Sequence, residues 1–276
     1  MHAEDSAWGV VAYCLHEHKE PFVGALIPYF GGKSRLAKTI ISKFPEHQCY
    51  VEVFAGAANV FFAKEPKGTE VINDLDRDLI TLYRTVKHHP EELHRQFKYV
   101  LVSRDEFNRL MQVNPDTLTD IQRAARYLYL QRMCFGGRAR GRTFGTSTTG
   151  VPRLNLFTLQ RLLEEAWIRL GHVMIECLDF RELIPRYDRE YTLFFLDPPY
   201  WKIDGYAHNF VEQDFYDLAE ILVGIKGRFL MTINDTLEVR EIFNRFRIEE
   251  VELKYSMSKK EGSRSQVRTE LIIGNQ

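Results

Sequence analysis

Short apolar runs and amphipathic stretches alternate along most of this chain. Cys49-Tyr50-Val51-Glu52-Val53-Phe54, Glu70-Val71-Ile72-Asn73, Val173-Met174-Ile175-Glu176-Cys177, Tyr191-Thr192-Leu193-Phe194-Phe195-Leu196 and residues 228–233 are rich in β-branched and aromatic types and bounded by turn residues, so they read as strands. The 191–196 run is apolar without alternation, as in a strand covered on both faces. Segments near 247–255 and 267–273 complete a sheet. Leu36, Ile40, Ile41 and Phe44 share one helical face, as do Leu79, Leu82, Tyr83 and Val86, and helices are expected near 212–226 and 236–245. Strand, glycine turn, helix, strand and acid follow one another from 49 to 74, the order of a βαβ unit. From His88 to about Leu170 the pattern becomes helical (near 90–100, 105–112, 119–134 and 158–170) and is broken by one Gly/Ser/Thr-rich loop at 136–150. An α/β domain formed by 26–87 and 171–276, with a mainly helical insertion at 88–170 and an N-terminal extension at 1–25, accounts for this pattern.

Composition adds bounds rather than direction. The chain has 276 residues, 45% hydrophobic and 27% charged, which is ordinary for a globular protein with a sizeable core. No apolar stretch has the length of a membrane span, and residues 1–20 carry acids and histidines where a signal peptide would be basic and then apolar. A cytoplasmic protein is expected. Cys14, Cys49, Cys134 and Cys177 are widely spaced, which suggests neither a disulfide framework nor a zinc site; His16 and His18 read as surface residues, and no metal is expected.

The charge distribution says more than the net charge of −1. Between Asp120 and Glu164 there is no acidic residue and no lysine, yet Arg123, Arg126, Arg132, Arg138, Arg140, Arg142, Arg153 and Arg161 fall there. Arginine suits bidentate contacts to phosphate and guanine. A solvated helix face is the plain alternative, but the middle of the run is a polar loop with little apolar reason to exist, so contact with nucleic acid is expected. Arg138, Arg140 and Arg142 alternate at strand period and would share one face of a hairpin. Arg123 and Arg126 read as helix-face positions, structural or touching phosphate.

The most specific local feature is Asp197-Pro198-Pro199-Tyr200, directly after the 191–196 strand. Open α/β sheets place ligands where a parallel strand ends. Two prolines stiffen the loop and remove two N–H donors, leaving carbonyls and a carboxylate as acceptors beside a flat ring. Such a set suits a planar amino group. Gly56 follows the first strand alone, without the three spaced glycines of a dinucleotide site, but it lets the backbone approach a ligand. Gly56 also reads as a plain tight turn. Asp74, at the end of the second strand, either accepts from ribose hydroxyls or caps a helix.

These residues, taken in order, resemble the Dam-type DNA N6-adenine methyltransferases over a stretch from about Ile27 to the C-terminus. Pro28-Tyr29-Phe30-Gly31-Gly32-Lys33 is similar to the family's N-terminal donor motif, which assigns Tyr29, Gly32 and Lys33 to S-adenosylmethionine. Phe54-Ala55-Gly56-Ala57 resembles the loop that cradles the donor's methionine part. Asn73-Asp74 resembles the acid of the second strand, Asp179-Phe180 the pair near the donor's adenine, and Thr269-Glu270-Leu271-Ile272-Ile273 a family ending. Asp197-Pro198-Pro199-Tyr200 matches the catalytic motif. The resemblance implies a Rossmann-like class I methyltransferase sheet with helices on both faces and an inserted target-recognition domain carrying a hairpin loop. It implies S-adenosylmethionine as donor and double-stranded DNA as substrate, with Arg132, Arg138, Arg140 and Arg142 as candidate DNA contacts. A monomer or weak dimer of bacterial or phage origin fits, beside which a restriction enzyme could stand without forming a stable complex. The 136–150 segment departs from the hairpin associated with Gly-Ala-Thr-Cys methylation, so that target is not carried over.

The chemistry the motif suggests is direct. Adenine N6 is a poor nucleophile because its lone pair is delocalised into the ring. Asp197 and the Pro198 carbonyl would accept its two N–H groups, and Tyr200 would stack on a base taken out of the duplex. N4-cytosine enzymes tend to carry Ser in place of Asp197, and protein glutamine methyltransferases tend to carry Asn. A DNA-binding module without catalysis fits poorly with Asp197 and Gly56, and a nicotinamide oxidoreductase lacks its glycines.

Overall fold

The computed structural model describes residues 25–146, 154–254 and 267–275. The segment 1–24, with Cys14, His16 and His18, lies outside them, as do 147–150 of the arginine loop and Arg153. The chain divides into two compact units: the described residues of Met1–Lys43, Gly56–Pro66 and Asp76–Ile175 form one, and those of Phe44–Ala55, Lys67–Leu75 and Glu176–Gln276 the other.

Seven strands form one sheet: β1 (Cys49–Glu52), β2 (Thr69–Asn73), β3 (Met174–Glu176), β4 (Thr192–Leu196), β5 (Arg228–Asn234), β6 (Arg247–Lys254) and β7 (Val267–Gly274). Their order is β3-β2-β1-β4-β5-β7-β6. β1 pairs in parallel with β2 and β4, and β4 with β5, while β7 runs antiparallel between β5 and β6. This is the Rossmann-like doubly wound arrangement with an antiparallel edge. The strand order reverses between β1 and β4, so the carboxyl ends of these two strands flank the switch point where such sheets bind ligands. Every residue of β1 and β4 is buried, which requires cover on both faces.

One face of the second unit's core packs Val51, Phe194, Met231, Ile233 and Leu271 against three helices, α8 (Phe180–Tyr187), α9 (Glu212–Gly224) and α10 (Leu237–Ile242). The sequence pattern did not predict α8, because it has only eight residues and contains Pro185. Proline deletes one helical hydrogen bond. Asp179 caps the first turn, and burial of Phe180, Leu183 and Ile184 outweighs that loss.

The first unit is helical: α1 (Ala37–Ile41), α2 (Asn59–Ala63), α3 (Arg77–His88), α4 (Pro90–Arg95), α5 (Arg104–Gln112), α6 (Asp120–Met133) and α7 (Leu156–Leu170). A capping box between Thr119 and Gln122 starts α6, whose Tyr127, Leu128, Tyr129 and Leu130 are all buried. α3 packs against both α6 and α7, so the inserted segment shares its core with a helix that precedes it in sequence.

Candidate active site

In the second unit, β4 ends at Asp197, and the loop behind it is fastened to β5. Leu196 pairs with Met231, so Asp197 emerges level with Thr232, the next residue of β5. The Thr232 hydroxyl donates to Asp197 Oδ1 at 2.9 Å. Two residues on, the Asn234 side chain clasps the end of the loop. Its Oδ1 accepts from Trp201 N at 2.9 Å, and its Nδ2 donates to Trp201 O at 3.2 Å. Pro198, Pro199 and Trp201 are buried, and the Trp201 ring meets Phe215 edge-on. Burial, followed by the carboxylates of Asp197 and Glu270, pushes the Tyr200 phenol well above the ordinary tyrosine value. This favours the neutral phenol, and the Tyr200 side chain packs against the unit's core. Glu270 is buried on β7, opposite Asn234.

The other carboxyl ends in this unit are gathered by one amide. Asn73 Nδ2 donates to Val53 O at 2.9 Å and Leu178 O at 3.0 Å, and its Oδ1 accepts from Leu178 N at 2.8 Å. That clasp brings together the loops bearing Phe54, Asp74 and Asp179–Phe180. The rings of Phe54, Phe180 and Phe210 form a cluster with centroids 5.4–6.0 Å apart. Phe210 carried no signal in the sequence beyond being aromatic. Asp76, not Asp74, caps the following helix, accepting from Asp78 N and Leu79 N. The capping alternative for Asp74 is thereby removed. Asp179 does act as a cap, accepting from Arg181 N at 2.9 Å, and it pairs with the Arg181 guanidinium.

In the first unit, the turn at Tyr29–Lys33 meets Gly56. Gly56 has φ +49°, and a Cβ there would lie 2.9 Å from the Tyr29 ring, so both the backbone conformation and the contact exclude a side chain. The Tyr83 hydroxyl donates to Gly56 O at 2.7 Å. A Cβ on Gly32 would meet Asn59 Nδ2 at 2.7 Å. Lys33 is buried and donates to Gly31 O at 3.0 Å. Tyr29, Gly32, Lys33 and Gly56 thus belong to one tightly packed patch. In the second unit, the aromatic cluster and the acids at strand ends are groups suited to a nucleoside.

The arginine segment closes on itself after α6. Phe135 N donates to Thr143 O and Gly145 N to Met133 O, both at 2.8 Å, and Cys134 bridges Phe144 in antiparallel fashion. No strand forms between 138 and 143, so the expected shared hairpin face of Arg138, Arg140 and Arg142 is not observed. Arg138 and Arg140 are exposed. Arg142 turns inward: its guanidinium lies over the Tyr127 ring and donates twice to Gln131 Oε1 at 3.2 Å. Arg132 donates to Leu26 O at 2.6 Å, and burial lowers its pKa. Gln131, fully buried, also donates to Pro28 O at 3.0 Å and Gly137 O at 2.6 Å. Phe30 N donates to Gly137 O at 2.9 Å, so the arginine turn is seated on the Pro28–Phe30 segment. Arg123 is an ion-pair residue, held by Asp78 and by Asp116 at 3.1 Å, and Arg126 donates to Leu110 O. Counter-charges absent from the local sequence are supplied by tertiary neighbours. The sequence reading passed over Phe135, 67% exposed at the start of this turn, and Gln131, its internal anchor.

Comparison with known proteins gives a consistent picture. A family model described as D12 class N6 adenine-specific DNA methyltransferase matches residues 29–257. The DNA adenine methylase of Escherichia coli strain K12 is 26% identical over 266 residues, covering 88% of this chain and 92% of that one. The type II methyltransferase M1.LlaDCHI of Lactococcus lactis subsp. cremoris is 27% identical over 272 residues, covering 89% and 93%. The DNA N-6-adenine-methyltransferase of Escherichia phage P1 is 28% identical over 269 residues, covering 88% of this chain and 34% of that longer protein.

Proposed function

Given that this chain belongs to the D12 class of N6 adenine-specific DNA methyltransferases, which methylate adenine in DNA from S-adenosylmethionine, we propose that Asp197 is its catalytic carboxylate and that it acts on an adenine flipped out of a specific double-stranded site. The observation that carries this reading is the fixed Asp197 at the end of β4, beside the switch point, with a hydroxyl partner on β5.

Bound donor supplies an electrophilic methyl group on a sulfonium. The rest is done by protein groups. An ionised carboxylate has about four acceptor positions on its two oxygens, so a bond from Thr232 leaves capacity for the target amine. Asp197 accepts one N–H of adenine N6 and the Pro198 carbonyl accepts the other. This draws the nitrogen toward tetrahedral geometry and localises its lone pair for in-line attack on the methyl carbon. As the N–C bond forms the C–S bond breaks to leave a neutral thioether, and the N6 proton facing Asp197 is released by way of that carboxylate to solvent. Positioning and preorganised electrostatics, without a covalent intermediate, supply the rate. Tyr200, neutral and held from its hydroxyl end, offers a ring face for the extruded base.

Arg138 and Arg140 are the duplex contacts we assign, and Phe135 joins them as an exposed aromatic suited to wedging between base steps. Arg132 and Arg142 are reassigned to holding the turn. The enzyme acts in the cytoplasm, where DNA is accessible, as a monomer or weak dimer. A companion restriction enzyme, if encoded, acts separately, a reading that the type II relatives support.

The test is methyl transfer from labelled S-adenosylmethionine to unmethylated duplex DNA, with the product digested to nucleosides and identified by mass. N6-methyladenosine is expected, and Asp197→Ala should reduce its formation by at least about 10³-fold while donor binding persists. Near-normal transfer by that variant would remove Asp197 from the mechanism. Sequencing the methylated positions reads out the target.

A further inference from the structure

Thr232 occupies the middle of a strand where a purely apolar residue would be expected. β5 lies between β4 and β7, and Thr232 is 0% exposed. Valine has nearly the same shape and would bury no hydroxyl, so a Thr here calls for a polar partner. That partner is the Asp197 carboxylate, at 2.9 Å. Hydroxyl-to-carboxylate bonds are charge-assisted and directional, and a β-branched side chain on a strand has few χ1 options. The register holds the donor in place as well: Leu196 pairs with Met231 and Thr232 pairs with Ile272, so the Thr232 backbone is fixed from both sides.

We propose that Thr232 is a positioning residue for methyl transfer, whose hydroxyl occupies Asp197 Oδ1 and fixes the carboxylate rotation that directs its remaining acceptor capacity at the target amine. This rests on the reading of Asp197 as the catalytic carboxylate. Thr232 touches neither donor nor base in this scheme. It acts only through Asp197. Loss of this bond loosens the carboxylate, and small misplacements of a reacting group cost large factors in rate.

The experiment compares Thr232→Val and Thr232→Ser with the parent enzyme in single-turnover methyl transfer to duplex DNA, alongside donor affinity, DNA affinity and thermal unfolding. Thr232→Val should slow the chemical step by roughly 10- to 100-fold, with both affinities within about twofold and the unfolding midpoint unchanged or higher. Thr232→Ser, which restores the hydroxyl, should recover the rate to within about threefold of the parent. The proposal is overturned if the Val variant transfers at the parent rate, or if the Ser variant is as slow as the Val variant, since the latter outcome points to packing. If the Val variant does not fold, Thr232→Ser against Thr232→Ala at matched folded fraction decides by the same criterion. Asp197→Ala is run in parallel. Activity in that variant overturns the underlying reading, whereas an inactive Asp197→Ala beside a fully active Thr232→Val overturns the positioning role alone.

Discussion

The loop after β4 and the turn after α6 are anchored by the same device and differ in what it leaves for function. In each, a partly or fully buried amide side chain bonds backbone groups of the segment it anchors: Asn234 holds both polar groups of Trp201, and Gln131 holds Pro28 O and Gly137 O. The partners of the β4 loop come from the adjoining strand, and the anchored segment presents the Asp197 carboxylate, the group we propose as catalytic. The end of α6 and its turn are tied to Leu26 and Pro28, about a hundred residues earlier, and Arg132 and Arg142 are spent on the anchoring itself. A dense arginine run is therefore not equivalent to a binding surface. Guanidinium groups also serve as internal struts, and only tertiary contacts separate the two uses.

The strongest way to break this comparison is to delete both anchors. Asn234→Leu takes a partner from both polar groups of Trp201, and Gln131→Leu takes one from Pro28 O and from the Arg142 guanidinium, and each should cost about 2–4 kcal/mol in denaturant unfolding. Their functional consequences should diverge. Asn234→Leu should lose turnover while keeping DNA affinity, and Gln131→Leu should weaken DNA binding while retaining turnover at saturating DNA. Equal DNA affinity in the parent and Gln131→Leu would mean the turn does not read DNA.

A smaller effect separates the arginines. Arg142→Ala should lower stability by about 1–2 kcal/mol through its lost bonds to Gln131 and stacking on Tyr127. Arg140→Ala should leave stability within about 0.5 kcal/mol and reduce the slope of log affinity against log salt by about 1. Salt titrations of both variants check the division, and a reversed pattern would refute it.

The smallest effect concerns Asp76, the buried cap of α3. Burial pushes its carboxyl above the ordinary value, despite a hydrogen bond from the Tyr127 hydroxyl at 3.0 Å. Its folded pKa exceeds its unfolded one, so the folded state binds more protons and stability falls as pH rises through the folded value. Asp76→Asn keeps capping ability and removes this titration. Its stability relative to the parent should therefore improve as pH rises from 4 to 8, read from urea midpoints. A pH-independent difference would show that Asp76 does not titrate in that range.

The elements legible beforehand were those whose signal is local. The strand positions, the βαβ order and the helices of the insertion follow from periodicity, and Asp197-Pro198-Pro199-Tyr200 follows from its residue types and its place after a buried strand. The α8 helix was not legible, because Pro185 argues against a helix locally while burial of Phe180 and Leu183 argues for it only once the sheet exists. Gln131, Asn73 and Thr232 were invisible for a related reason: an amide or hydroxyl in an apolar stretch shows its purpose only when its partner, 35 to 105 residues away, is brought beside it.

The amino-acid sequence by itself determined the fold class, the ordered motifs and the residue type available for methyl transfer, because strand burial, helix periodicity and a proline-stiffened turn act over a few residues. The tertiary structure decided which arginines face outward, which acid caps α3 and which hydroxyl bonds Asp197. Those outcomes depend on desolvated hydrogen bonds between distant segments, and their strength exists only once water has been excluded around them.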